Sequence, residues 1–443
     1  MRIQLSEHFS YKKLLRFVLP SIIMMIFTSI YSVVDGVFVS NFVGKTAFAA
    51  VNLIMPVTMG MGVIGFMLGT GGSAIVSKTL GEGDKHKANQ YFTMIVISTV
   101  MGGFILTVIG LIYIRPIAIA IGATENMLED CVLYGRILIG AEIAFMLQNL
   151  FQSFFVTAEK PQIGLVMTVL AGLTNIILDT LFVAVFRWGI AGAAVATAAS
   201  QVVGGIVPIF YFMRKNDSIL RFTKTNFNFR ILLKACTNGS SELMTNLSSS
   251  IVNILYNFQL MKIVGENGVA AYGVIMYVNF IFLAIYIGYS IGSAPVVGYH
   301  YGAANYDELK NLLKKSITIV GIFGFVLTFS AIVLSSPLSK IFVGYDAELF
   351  EMTKHGFRLY SLSFLVSGFN VFGSAFFTAL NDGVISAAIS FLRTLLFQVV
   401  VVLILPIILG LNGIWLAVTV AELLTVIITV IFFVKNKNKY HYA

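Results

Sequence analysis

LLRFVLPSIIMMIFTSIYSVVDGVFVS, residues 14–40, carries one basic residue, Arg16, near its start and one acid, Asp35, deep inside. The residues between them are all uncharged. A membrane-spanning helix needs about 20 apolar residues and a spanning strand only about 9–11. In lipid the backbone of such a stretch must pair within itself, which makes it a helix. Similar runs recur at about 50–77, 90–113, 131–157, 163–186, 191–213, 232–261, 270–297, 312–334, 355–379, 385–409 and 413–434. The expectation is an all-α integral membrane protein with twelve transmembrane helices.

Composition agrees. Hydrophobic residues make up 58% of the 443 and charged residues 11%, against roughly a quarter charged in an ordinary soluble domain. Too little polar surface remains to cover a soluble globule. The net charge of +9 is read as basic loops facing the cytoplasm, not as a nucleic-acid footprint. With the N-terminus in the cytoplasm, twenty Lys and Arg fall on that side, from Arg2 to Lys439. Six fall outside: Lys45, Arg115, Arg187, Lys262, Lys340 and Lys354. Both termini are therefore expected in the cytoplasm. No cleavable signal peptide is read at the start. Cys131 and Cys236 fall on opposite sides of the membrane in this topology, so no disulfide is expected.

The chain repeats itself. Val43-Gly44 matches Val264-Gly265, Gly81 matches Gly302, Gly192 matches Gly413, and Asn149-x-Phe151-x-Ser153 matches Asn370-x-Phe372-x-Ser374. Each pair differs by 221 (265−44, 302−81, 413−192, 370−149). Six spans per half mean that both halves enter from the same side, related by a pseudo-two-fold axis along the membrane normal. The expected lobes are 1–213 and 232–443, joined by a basic linker at 214–231.

Acids inside spans cost several kcal/mol and are functional candidates by default. There are five: Asp35, Glu142, Asp179, Glu242 and Glu422. Asp35 has no Lys or Arg near it within the membrane part of its span, which suits a proton carrier or an oxygen ligand for Na⁺; a carboxyl hydrogen-bonded between helices is the plainer reading. Asp179 follows Asn175 by four residues, on one helical face. Glu242 either attracts a cationic substrate or complements its helix dipole. Glu142 is expected to pair with Arg136 or sit at a polar edge, and Glu422 to pair with Arg393. Pro20 permits a kink in the first span. At the repeat offset Asp35 maps to Tyr256 and Asp179 to Val400, so the ion site is expected in the N-terminal half alone. Tyr256 and other tyrosines of spans 7 and 8 are candidates for a cavity wall, where aromatic faces attract cations. No Walker motif, metal-ligand spacing or nucleophile–base set is legible, so neither ATP-driven transport nor an enzyme is expected. Gly65-x-x-x-Gly69 reads as close helix packing.

Val34-Asp35-Gly36, Leu80-Gly-Glu-Gly83, the run from Asn175-Ile-Ile-Leu-Asp179 to Trp188-Gly-Ile-Ala-Gly-Ala-Ala-Val-Ala-Thr197, and Asn238-Gly-Ser-Ser-Glu-Leu-Met-Thr-Asn246 together resemble the multidrug and toxic compound extrusion family, in its MepA-like bacterial branch. The resemblance spans nearly the whole chain. It implies two V-shaped lobes and efflux of amphipathic, mostly cationic drugs in exchange for H⁺ or Na⁺, from the bacterial inner membrane, by a functional monomer without a cofactor. By motif position it implies a cation site of Asp35, Asn149, Asn175, Asp179 and Thr197. Glu242, Tyr256 and Asn370 are, from the reading of the residues, the candidate substrate contacts. Some members carry an acid in span 10; this chain has Asn370 there. The nearest alternative is a flippase for a lipid-linked or amphipathic anionic substrate, which calls for a basic cavity.

Overall fold

The computed structural model describes residues 3–442. Arg2 of the charge count lies outside the described residues, as does the side chain of Lys45. The helices are α1 Tyr11–Phe38, α2 Lys45–Gly81, α3 Lys85–Ala120, α4 Glu125–Gly140, α5 Glu142–Thr157, α6 Pro161–Asp179 and α7 Gly189–Met213. The second half holds α8 Phe229–Ile263, α9 Glu266–Gly302, α10 Tyr306–Val343, α11 Ala347–Ser361, α12 Phe364–Ala379, α13 Gly383–Phe391, α14 Phe397–Leu409 and α15 Leu411–Tyr440. Among the described residues there is no strand.

Nine of these segments are long and apolar enough to cross a membrane, and the bent pair α11–α12 makes a tenth. Two further spans complete the expected twelve. One is α4–α5, interrupted only at Ala141. The other is α8, whose sequence is loaded with Ser, Thr and Asn because one face meets a polar pocket. α2, at 37 residues, is about 55 Å long, so it overruns a hydrocarbon core of about 30 Å.

The repeat is geometric as well as sequential. α2, α3 and α7 begin at residues 45, 85 and 189; α9, α10 and α15 begin at 266, 306 and 411. The offsets are 221, 221 and 222. Left-handed backbone positions recur in step: Gly44 with Gly265, Gly83 with Ala304, Glu159 with Asn381, and Gly189 with Gly410. Each closes one helix and aims the next.

The halves meet along the ends of their helices nearest the termini. Backbones there touch. A Cβ at Gly71 would sit 2.0 Å from the Ala235 carbonyl oxygen, at Gly239 1.9 Å from that of Met67, and at Gly81 2.0 Å from that of Tyr299. α1 packs on α9 in the same way, through Gly288 and Gly292. Toward the opposite end, Gly60 and Gly273 have open space around them. A strap made of the residues before α1 seals the joined end. The Leu5 amide donates to Glu159 Oε1 of one half at 2.8 Å, and the Phe9 amide donates to Glu308 Oε1 of the other at 2.9 Å. Leu5 and Phe9 are wholly buried. The extended segment 214–228 crosses the same end and pins itself to α3 through Thr223 and Phe222.

The glycine seam is thus a steric requirement. Gly239→Ala forces α8 away from α2 and is expected to cost about 1–3 kcal/mol by overpacking. The check is the thermal midpoint of the detergent-purified protein, which should fall by several degrees; an unchanged midpoint contradicts the seam.

Candidate functional site

Asp35 lies one turn before α1 gives way to a widened π turn at Val39–Val43, and α6 ends at Asp179, where Thr180–Val185 forms another. Such turns loosen the helical ladder and recur at functional positions. α1 does not stop at Pro20; its departure from α geometry comes at the other end. Asn175 and Asp179 share a face of α6, and α7 brings Thr197 alongside. Thr197 Oγ1 donates to Asp35 Oδ1 and Asn175 Nδ2 donates to Thr197 Oγ1, both at 3.4 Å. The carboxyls of Asp35 and Asp179 lie within reach of each other. All three helices belong to the N-terminal half.

The cluster is rich in acceptors and poor in donors. Among the described residues neither oxygen of Asp179 has a donor, nor does Asn175 Oδ1. Asp35, Asn175 and Asp179 are all buried, and among the described residues no Lys or Arg lines the adjoining cavity. Two bare carboxylates at close quarters, shielded from water, repel each other and lose their hydration. One proton or one small cation between them removes both costs. The donor set, two carboxylates, an amide oxygen and a hydroxyl, fits a hard monovalent ion such as Na⁺ as well as H⁺. Among the described residues no group of three or more His, Cys, Asp or Glu could hold a metal.

Asn149 does not join this cluster. It sits on α5 with its amide nitrogen unmet among the described residues, four residues before Ser153, which faces a different pocket. That pocket lies between the halves. Its walls come from α2, α5, α8, α9, α12 and the α13 region, and its empty volume, open part included, is about 750 Å³. Small hydroxyls from Thr70, Ser73, Ser153, Ser290 and Ser374 line it beside Leu283 and Ile287. Its charged members are Glu242 and Arg393. Glu242 stands thirteen residues into α8 (242−229), about 20 Å from the helix start. That is too deep for a dipole-capping role, because such effects fade within the first turn.

Tyr256 and Asn370, expected as substrate contacts, do not line this pocket. Tyr256 stacks on Tyr272 with ring centroids 4.9 Å apart and donates to Gln398 Oε1 at 3.3 Å. Asn370 Nδ2 donates to Glu422 Oε2 at 2.6 Å, and its Oδ1 accepts from Thr429 at 2.9 Å. Their polar atoms are spent inside the C-terminal half. Arg393, in a π turn at Leu392–Leu396, donates from Nε to Glu422 Oε1 at 3.1 Å, the pairing expected from sequence. Glu142 does not follow expectation: it faces the cavity beside Asp35, and its Oε1 has no partner among the described residues. The break in span 4 at Ala141 that places it there has no periodicity to announce it in the sequence.

Two lobes of helices enclosing a central pocket, with a buried acid pair in one lobe, define a membrane transporter. The chain belongs to the MatE family: the family model matches it twice, over residues 20–181 and 243–404. It is 24% identical over 410 residues to the multidrug export protein MepA of Staphylococcus saprophyticus, covering 91% of this chain and 88% of that protein. MepA of Staphylococcus aureus is 22% identical, covering 93% and 91%. Among solved structures, the outward-facing conformation of a multidrug-resistance MATE transporter superposes with a TM-score of 0.93 at 24% identity, covering 99% of this chain and 98% of that one. The family is one of transporters, not enzymes.

Breaking the Arg393–Glu422 pair strands a buried charge. Glu422→Gln is expected to cost about 3–5 kcal/mol, read as a lowered unfolding temperature. Arg393→Met combined with Glu422→Leu should recover much of that loss; a double variant as unstable as the single one contradicts the pairing.

Proposed function

We propose that this chain is a secondary active efflux transporter, exporting amphipathic, mostly cationic organic compounds in exchange for H⁺ or Na⁺. The observation that carries the reading is the donor-poor acid pair, Asp35 with Asp179, set in one lobe and apart from the central pocket. The ion is cargo, and Asn175 and Thr197 complete its site. Glu242 attracts the organic cation in the central pocket. Tyr256 and Asn370 act from behind that wall, Asn370 by orienting Glu422 and through it Arg393. The lobes, 1–213 and 232–443, rock about the linker 214–231 as a single functional chain. The membrane is the bacterial inner membrane and both termini are cytoplasmic. In that orientation the glycine seam and strap close the cytoplasmic side, and the pocket opens outward.

The cycle follows from charge. When open to the cytoplasm, the central pocket takes up the compound. After the lobes rock outward, an ion reaches Asp35 and Asp179. The neutralised pair changes the packing of the last turns of α1 and α6, where the π turns already weaken the ladder, and the compound leaves. A flippase for anionic lipids is less favoured, because the guanidinium in the pocket is already committed to Glu422.

Asp35→Asn and Asp179→Asn, reconstituted in liposomes with an imposed pH or Na⁺ gradient, should each reduce ethidium transport at least tenfold. Wild-type rates in both variants sink the assignment. Driving transport in turn with a pH gradient and with a Na⁺ gradient identifies the ion.

A further inference from the structure

The fourth span is broken in the middle. α4 ends at Gly140, Ala141 leaves helical geometry at φ −97° and ψ 5°, and α5 restarts at Glu142. The break places Glu142 in the first turn of α5, where the Ala144 and Phe145 amides bond to the Ala141 carbonyl. Glu142 is 1% exposed, and its Oε1 has no hydrogen-bond partner among the described residues. It lines the same cavity as Asp35. Arg136, the base nearest in sequence, points to the exterior. The titratable groups that share the cavity wall are Tyr31, Tyr134 and Asp35, from α1 and α4. α2 contributes Met55, Thr58 and Met59, and α7 contributes Thr197, Ser200 and Gln201. Among the described residues no base faces Glu142 from any of them.

Between Asp35 and Glu142 the wall is polar. It includes Gln148, Ser200 and Gln201, and the Gln201 side-chain oxygen is also without a donor. A buried acid left without a donor in a cavity of spare acceptors has the chemistry of a cation-loading group.

We infer that Glu142 is a second coupling-ion site, so that each cycle takes up two monovalent cations, one at Asp35 with Asp179 and one at Glu142. The inference rests on the antiport reading above and goes beyond it by fixing the ion count. Glu142 stands in the first turn of α5, where the helix dipole favours the acid whenever it is unloaded. The acceptors Gln148 and Gln201 join the two sites through one cavity. Exchange of two cations for one monovalent dye carries a net charge, whereas exchange of one does not.

The test uses the full-length protein in liposomes, with ethidium as the monovalent probe and a potassium diffusion potential. Dye distribution at zero net flux is measured against the imposed potential and the cation gradient. With two ions, a tenfold cation gradient supports about a hundredfold dye gradient, and 100 mV changes that gradient about fiftyfold. In Glu142→Gln the tenfold cation gradient should support only about tenfold, and the response to potential should vanish. Retention of the full response in the variant overturns the inference. A wild type indifferent to potential also overturns it, and that measurement needs no variant. If Glu142→Gln does not assemble, Glu142→Ala is read against the same two outcomes. Failure of the antiport reading looks different: no cation gradient then moves the dye at all.

Discussion

Two carboxyls, Asp35 and Asp179, are held away from water, and among the described residues no base answers them. The rest of the molecule can be understood from that constraint. One proton or one small cation held between the two relieves their repulsion. The other half shows the alternative. There Glu422 is answered by Arg393 and steadied by Asn370 and Thr429. At the repeat offset Arg393 corresponds to Gly172 (393−221) and Glu422 to Gln201 (422−221). Where the second lobe places a guanidinium, the first has no side chain at all, and Gly172 packs directly on Phe27 and Tyr31. One scaffold thus yields a charge pair inside one lobe and an unanswered acid pair in the other.

Alternating access needs surfaces that are close-fitting yet separable. The seam between α2, α8 and α9 meets that need with backbone-to-backbone contacts at Gly71, Gly239, Gly81 and Gly302. Helices of small residues approach closely and are held by dispersion rather than by interlocked side chains. The strap from Leu5 to Phe9 adds hydrogen bonds to both lobes and runs directly into α1, the helix that carries Asp35. In the proposed antiport cycle, ion loading and closure are therefore connected through one continuous piece of chain.

Much of this was legible in the sequence because membranes limit the choices. Twelve apolar runs, an offset of 221 and the i, i+4 pair Asn175–Asp179 each follow from a periodicity. Pairing of Glu422 with Arg393 followed from complementary charge on neighbouring spans. What was hidden depended on side-chain direction. Asn370 and Tyr256 fall in spans that border the pocket, yet their polar atoms face Glu422 and Gln398. Asn149 shares a helix with residues of both cavities and joins neither acid. Glu142 resembled an edge residue, because no periodicity reveals that span 4 breaks at Ala141.

The proposed shared occupancy of Asp35 and Asp179 is open to infrared difference spectroscopy on the reconstituted protein during exchange of pH or Na⁺. A single ion serving both carboxyls predicts one set of carboxyl bands that either Asp35→Asn or Asp179→Asn abolishes entirely. Two independent sets, each lost in only one variant and adding up to the wild-type spectrum, would contradict the account.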